Sequence, residues 1–171
     1  TVMEPLCPFV SFPREKICGD GLSRDCFPHL RELGILNEVE RSVHADIRTA
    51  LLVAPNGKSV SLEIPTPMVV CRRRIFDNIL FQAARQKVES LEGCPVRNVL
   101  VEGNRVCGVE GERSEKKRVS FTARVIVGAD GVHSVVSRRA ATPGDRPGRW
   151  MAGVRAYCTG IPDLQDAMEF Y

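Results

Sequence analysis

Cys18 stands directly before Gly19-Asp20-Gly21, at the end of the charged run Pro13-Arg14-Glu15-Lys16-Ile17. Two glycines around one carboxylate make a backbone that either turns sharply or is approached closely by something else. The pattern begins like the glycine fingerprint of a dinucleotide-binding turn. It departs from it, because Arg24 occupies the third glycine position and no strand precedes the loop. A different residue carries a dinucleotide signal. Thr1-Val2-Met3-Glu4-Pro5 reads as a strand that ends in an acid and is stopped by proline. In dinucleotide folds a carboxylate about 20 residues after the fingerprint accepts both ribose hydroxyls. Two further places fit chemistry: Arg73, at the entry of an apolar-faced helix between Arg72 and Arg74, and Asp130-Gly131, a strand-to-helix turn.

Other chemistries are disfavoured. The seven cysteines, at 7, 18, 26, 71, 94, 107 and 158, are odd in number and contain no Cys-x-x-Cys pair. That argues against a disulfide framework or a zinc site and fits a reducing, cytoplasmic compartment. The histidines at 29, 44 and 133 have no ligand spacing, so no metal is expected. A net charge of +3 is too small to indicate nucleic acid. The cluster Glu115-Lys116-Lys117-Arg118 lacks aromatic neighbours and reads as a solvated hairpin tip. No apolar run approaches the ~18 residues of a membrane span, and no stretch reads as a signal peptide. With 43% hydrophobic and 26% charged residues, the 171-residue chain has the composition of a globular domain with a real core.

The elements that must position these residues follow from periodicity. Residues 5–22 form a loop rich in proline and glycine. A helix follows, with Phe27, Leu30 and Leu33 on one face, Asp25 as N-cap, Pro28 in its first turn and Gly34 at its C-cap. Residues 47–72 alternate loosely around Asn56-Gly57, a hairpin signal. The clearest helix spans roughly 74–88, with Ile75, Phe76, Ile79, Leu80, Ala83 and Ala84 on its apolar face. Three short strands then make a meander (about 95–128): VRNVLV, RVCGVEG, and a third running through RVSFTARVIVGAD to the turn at Asp130-Gly131. The stretch 142–149 reads as a linker and MAGVRAYCTG as a new strand.

PREKICGDGL resembles the loop of the geranylgeranyl reductase family of flavoproteins, which share the p-hydroxybenzoate hydroxylase fold. The matching residues are Glu4, Pro13-Arg14-Glu15-Lys16, Cys18-Gly19-Asp20-Gly21-Leu22 and Leu33-Gly34. Arg73 with Phe76-Asp77-Asn78-Ile79-Leu80, and Ala129-Asp130-Gly131-Val132-His133-Ser134, match two further blocks. The family's glycine fingerprint and its later Gly-Asp segment are not in these 171 residues, and Ser137 stands where related proteins often carry Arg. The sequence is therefore similar to an internal piece of a longer flavoprotein.

The resemblance implies an α/β fold: a partial FAD/NAD(P)-binding, Rossmann-like domain over 1–141 including the meander, and the start of a substrate domain over 142–171. It implies FAD as cofactor, with NADPH or reduced ferredoxin as electron donor. The substrate would be an isoprenoid or other lipophilic molecule whose C=C bonds are reduced, with a peripheral contact to the membrane allowed. No obligate protein partner is implied. The cofactor residues would be Glu4, Cys18, Gly19, Gly21, Arg73, Val96, Asp130 and Gly131. Gly19 and Gly21 would let a flat flavin lie against backbone, with Cys18 lining the substrate cavity as a small polarizable wall. Arg73 would fork onto the pyrophosphate or pack beside the flavin. Arg14 and Lys16 would steady phosphates, Val96 would meet the adenine edge through its backbone, and Asp130-Gly131 would lie by the cofactor and the nicotinamide path. Two alternatives stand beside this reading: a flavin hydroxylase of an aromatic or polyketide substrate, and a non-catalytic fragment that binds FAD weakly or not at all.

Overall fold

The computed structural model describes residues 11–113, 116–131, 133–140, 152–161 and 166–171. Glu4 and the strand expected around it lie outside the described residues. The chain divides into two compact units, one taking Phe12–Glu89 with Ala152–Tyr171, the other Ser90–Met151 with Thr1–Ser11.

The first unit holds a four-stranded sheet in the order β1-β3-β2-β7. Its strands are β1 (Gly21–Leu22), β2 (Ala45–Val53), β3 (Ser59–Val70) and β7 (Ala167–Phe170). Asn56-Gly57 closes the β2–β3 hairpin: Gly57 takes φ +80°, and the Asn56 side chain accepts from Lys58 N at 3.1 Å. The antiparallel register runs Val53↔Ser59 to Thr49↔Glu63 and then shifts before Ile47↔Met68. The residues that loop out include Pro65 and Pro67, which have no N–H to give to the ladder. Strand β7 adds in parallel along β2, with Thr49 opposite Ala167.

The core lies against this sheet. Phe27 and Leu30 of α1 (Phe27–Glu32), Leu36 and Val39 of α2 (Leu36–Arg41), and Ile35, Val69 and Cys71 form one buried cluster. Ile75, Phe76, Ile79, Leu80 and Ala83 of α3 (Arg73–Arg85) pack on it. These five are the apolar face expected of that helix, whereas Ala84 is exposed. Each aliphatic or aromatic side chain fully buried here contributes roughly 1.5–3 kcal/mol. Asp25 is not the N-cap of a continuous helix. Ser23 caps a 3₁₀ turn, Arg24–Cys26, by accepting from Asp25 N at 3.3 Å, and α1 starts after that turn. Leu33 is 51% exposed, because α1 ends before it at the Gly34 bend of φ +75°. The short α2 was not expected, although Ile35, Leu36 and Val39 carry helical spacing.

The second unit holds the meander β4 (Val96–Glu102), β5 (Arg105–Glu112) and β6 (Arg118–Thr122), antiparallel throughout. Gly108 sits at its centre because a Cβ there would strike the Phe121 carbonyl. The third strand stops at Thr122 instead of running on to Asp130. Val125 and Val127 are 75% and 80% exposed. Among the described residues no strand pairs with that segment, and an apolar run becomes a strand only beside a neighbour that accepts its ladder bonds. Helix α4 (Val135–Ala140) follows. In the first unit the strand expected at MAGVRAYCTG is also absent from 152–160, and the strand forms later, at β7.

Candidate functional site

Two-residue β1 fixes the Cys18 loop by its end. Gly21 pairs with Val70 and Leu22 with Val69, so the preceding residues run past the end of β3 to the first turn of α3. Asp20, 4% exposed and at φ +60°, is the hub. Its carbonyl accepts from Cys71 N at 2.9 Å, and its Oδ1 accepts from Arg73 N at 3.3 Å. A carboxylate at that helix start satisfies an orphan N–H and opposes the helix dipole favourably. Tyr157 Oη donates to Oδ2 at 2.5 Å, and Arg155 Nη1 donates to Oδ1 at 3.3 Å. Burial of its hydroxyl and the bond to Asp20 push the Tyr157 phenol up to about 12, although 47% of the residue is exposed.

A second carboxylate, Asp77, is 6% exposed and holds two arginines. Arg73 grips it in a fork, Nε to Oδ1 at 2.6 Å and Nη2 to Oδ2 at 2.9 Å. Arg14 Nη2 reaches Oδ2 at 3.1 Å. The loop is thus tied to α3 at two points. Phe12 stacks on Phe81 at 4.2 Å between ring centroids and completes that attachment.

Cys18 is half-buried beside these groups. A hydrogen bond from the Asp20 backbone N–H, then one from the Arg73 side chain, hold its thiol below the ordinary range against an opposing desolvation. With Ile17, Gly19, Gly153, Val154 and Arg155 it lines a pocket of ≈ 340 Å³. Gly19 is exposed, and a Cβ added to it would meet nothing within 4 Å. Cys18 should therefore alkylate with iodoacetamide at a pH below the ordinary thiol range of about 8.5, and Arg73→Gln should move that profile upward. Peptide mass spectrometry across pH reads both. A Cys18 profile at the ordinary thiol position, unmoved by the substitution, contradicts the expectation.

The other expected site residues divide by unit. Gly21 is in β1 of the first unit; Val96 opens β4 and pairs with Gly111 in the second. Asp130 and Gly131 also belong to the second unit, where they make the start of α4. Ser134 Oγ donates to Asp130 Oδ1 at 2.5 Å and Val135 N to Oδ2 at 2.7 Å, which together hold the carboxyl below its usual range. Gly131 takes φ +76°. The structure brings Cys18, Gly19, Gly21 and Arg73 together. It adds Asp20, Asp77, Arg155 and Tyr157, which sequence reasoning had not assigned a role. The Arg73–Asp77 spacing of four was the one legible signal among them. Among the described residues no cluster of His, Cys, Asp and Glu fits a metal ion, and no helix is long and apolar enough to cross a membrane.

This mixed α/β architecture with two sheets matches part of the fold of flavin-dependent oxidoreductases. A triple mutant of the flavin-dependent brominase Bmp2 superposes with a TM-score of 0.65 at 23% identity, over 77% of this chain and 33% of that one. At that identity the likeness shows the fold. The sequence goes further: the chain is homologous to a segment of the digeranylgeranylglycerophospholipid reductases. It is 28% identical to digeranylgeranylglycerophospholipid reductase 2 of Methanopyrus kandleri over 158 residues, 91% of this chain and 38% of the relative. It is 36% identical to the digeranylgeranylglycerophospholipid reductase of Methanocella arvoryzae over 105 residues, 56% of this chain and 26% of the relative. The chain thus spans less than two-fifths of the length of these curated relatives. No family model matches it.

Proposed function

We propose that this chain is the loop-bearing part of an FAD-dependent reductase that saturates C=C bonds of an isoprenoid lipid. The observation that carries the reading is the homology to digeranylgeranylglycerophospholipid reductases over 91% of the chain. The site fits a flat cofactor on one specific point. Gly19 offers an open backbone face beside Cys18, with no neighbouring atom where a side chain would stand. When bound, FAD would supply the hydride to one carbon of the double bond.

The chain's own residues would do the rest. The Cys18–Gly21 backbone would lie against the ring, and Cys18 would form part of the wall past which the lipid reaches it. Arg73 contributes differently from the fork first expected on a pyrophosphate: its Nε and Nη2 are already on Asp77. Its remaining charge would support the sulfur of Cys18. Glu4 would receive the adenosine ribose, and Val96, Asp130 and Gly131 the rest of the dinucleotide. NADPH or reduced ferredoxin would supply the electrons, in a cytoplasmic protein that touches the membrane surface to collect its substrate.

The test uses the complete gene product. It should purify yellow and, with its flavin reduced anaerobically, should add one hydrogen pair to each double bond of a geranylgeranylated glycerolipid, read by mass spectrometry. Bound flavin without that mass gain would reject the lipid substrate. Oxygen-dependent hydroxylation of an aromatic compound would favour the hydroxylase alternative. Absence of flavin would leave the non-catalytic reading.

A further inference from the structure

Three residues of the Cys18 loop are held by two residues that lie far along the chain. Arg155 Nη1 donates to the Lys16 carbonyl at 2.8 Å and to Asp20 Oδ1 at 3.3 Å, 135 residues away in sequence. Its Nη2 donates to Glu15 Oε2 at 3.0 Å. Tyr157 takes the second oxygen of Asp20, and its ring carries the guanidinium groups of Arg155 and Arg72 at 4.3 and 4.7 Å from its centroid. The bonds that Arg155 and Tyr157 make to Asp20, itself 4% exposed, are part-buried, whereas those to the Lys16 carbonyl and Glu15 lie at the surface.

The loop needs such support. Asp20 adopts a left-handed backbone between two glycines, a conformation that L-residues keep only where the surroundings hold it. Gly19 and Gly21 supply little packing to do so. We infer that Arg155 and Tyr157 form a strap whose grip on Asp20 and Lys16 sets the shape of the Cys18 loop, making them positioning residues for it. The same segment supplies Gly153, Val154 and Arg155 to the lining of the pocket that Cys18 also lines. One segment therefore both shapes the loop and bounds the space in front of it. This goes beyond the flavin reading, and its test needs no flavin, so either can fail alone.

Trypsin reports on the strap directly. Cleavage after Lys16 requires the carbonyl that Arg155 holds, whereas Lys58 in the β2–β3 turn is exposed and distant in the sheet. In the full-length protein, Tyr157→Phe keeps the ring and removes one bond to a charged acceptor. Arg155→Gln removes the fork. Each should raise cleavage after Lys16 by about tenfold, with cleavage after Lys58 unchanged. Asp20→Asn keeps a residue that tolerates the left-handed turn and loses the charge. Adding Tyr157→Phe to it should raise the Lys16 rate by less than Tyr157→Phe does alone, because the loss of charge and of one acceptor has already weakened the bond that the phenol makes. An unchanged Lys16 rate in both single variants overturns the strap. So does an equal rise at Lys16 and Lys58, which would mean general loosening, and so does full additivity in the double variant.

Discussion

Asp77→Ala should lower folding stability by about 3 kcal/mol, the lower end of the cost of breaking a buried ion pair. The carboxylate is 6% exposed, accepts from Arg73 Nε at 2.6 Å and Arg73 Nη2 at 2.9 Å, and pairs with Arg14 Nη2 at 3.1 Å. Removing it leaves two guanidinium groups facing each other around an empty position. Their side chains keep 21% and 27% of their surface in water, which lets them relax outward and sets the lower end of the range. For a chain of this size the loss corresponds to a fall in Tm of roughly 6–12 °C. Urea unfolding should show a lower midpoint with the slope unchanged. Asp77→Asn should fall between, since it keeps the volume and one acceptor. A midpoint within error of the parent in Asp77→Ala would mean that the fork contributes nothing net.

The second large effect concerns access. On the proposed reading, Cys18→Phe should abolish reduction of a long isoprenoid while reduction of the bound flavin by a small artificial donor continues. Cys18 lines the ≈ 340 Å³ pocket together with Gly153 and Val154, and a benzyl group there would take up part of its space. The backbone face of Gly19 would remain, so cofactor binding should survive. A general folding defect cannot produce that split. Normal lipid turnover would place the side chain away from the lipid path, and loss of flavin would make Cys18 a packing residue. Cys18→Ala should retain flavin and alter turnover only modestly.

The elements legible in the sequence are those whose information is local. Asn56-Gly57 fixed a hairpin because Gly57 takes the left-handed φ of +80° that closes it, after a turn in which its N–H bonds the Ala54 carbonyl. The helix from Arg73 showed itself through Ile75, Phe76, Ile79, Leu80 and Ala83, all of which pack on the core. The meander was visible in its alternation and its turns. Cys18-Gly19-Asp20-Gly21 stood out by residue type as a permissive loop, and only the resemblance to a family suggested a role for it.

Tertiary structure decided what depends on partners distant in sequence. The run Val125–Ala129 has the composition of a strand, but a strand exists only with a neighbour, and none is present among the described residues. Leu33 has the right spacing for a core face, yet the bend at Gly34 ends α1 before it and leaves it in solvent. The Arg73–Asp77 pair is local, four residues along one helix, but Arg14 reaches the same carboxylate, at 3.1 Å, only through the fold. Asp20 shows the limit most clearly. As a residue between two glycines it reads as a turn. Its four donors come from Cys71, Arg73, Arg155 and Tyr157, and only the fold brings their N–H and O–H groups to one buried carboxylate and its carbonyl.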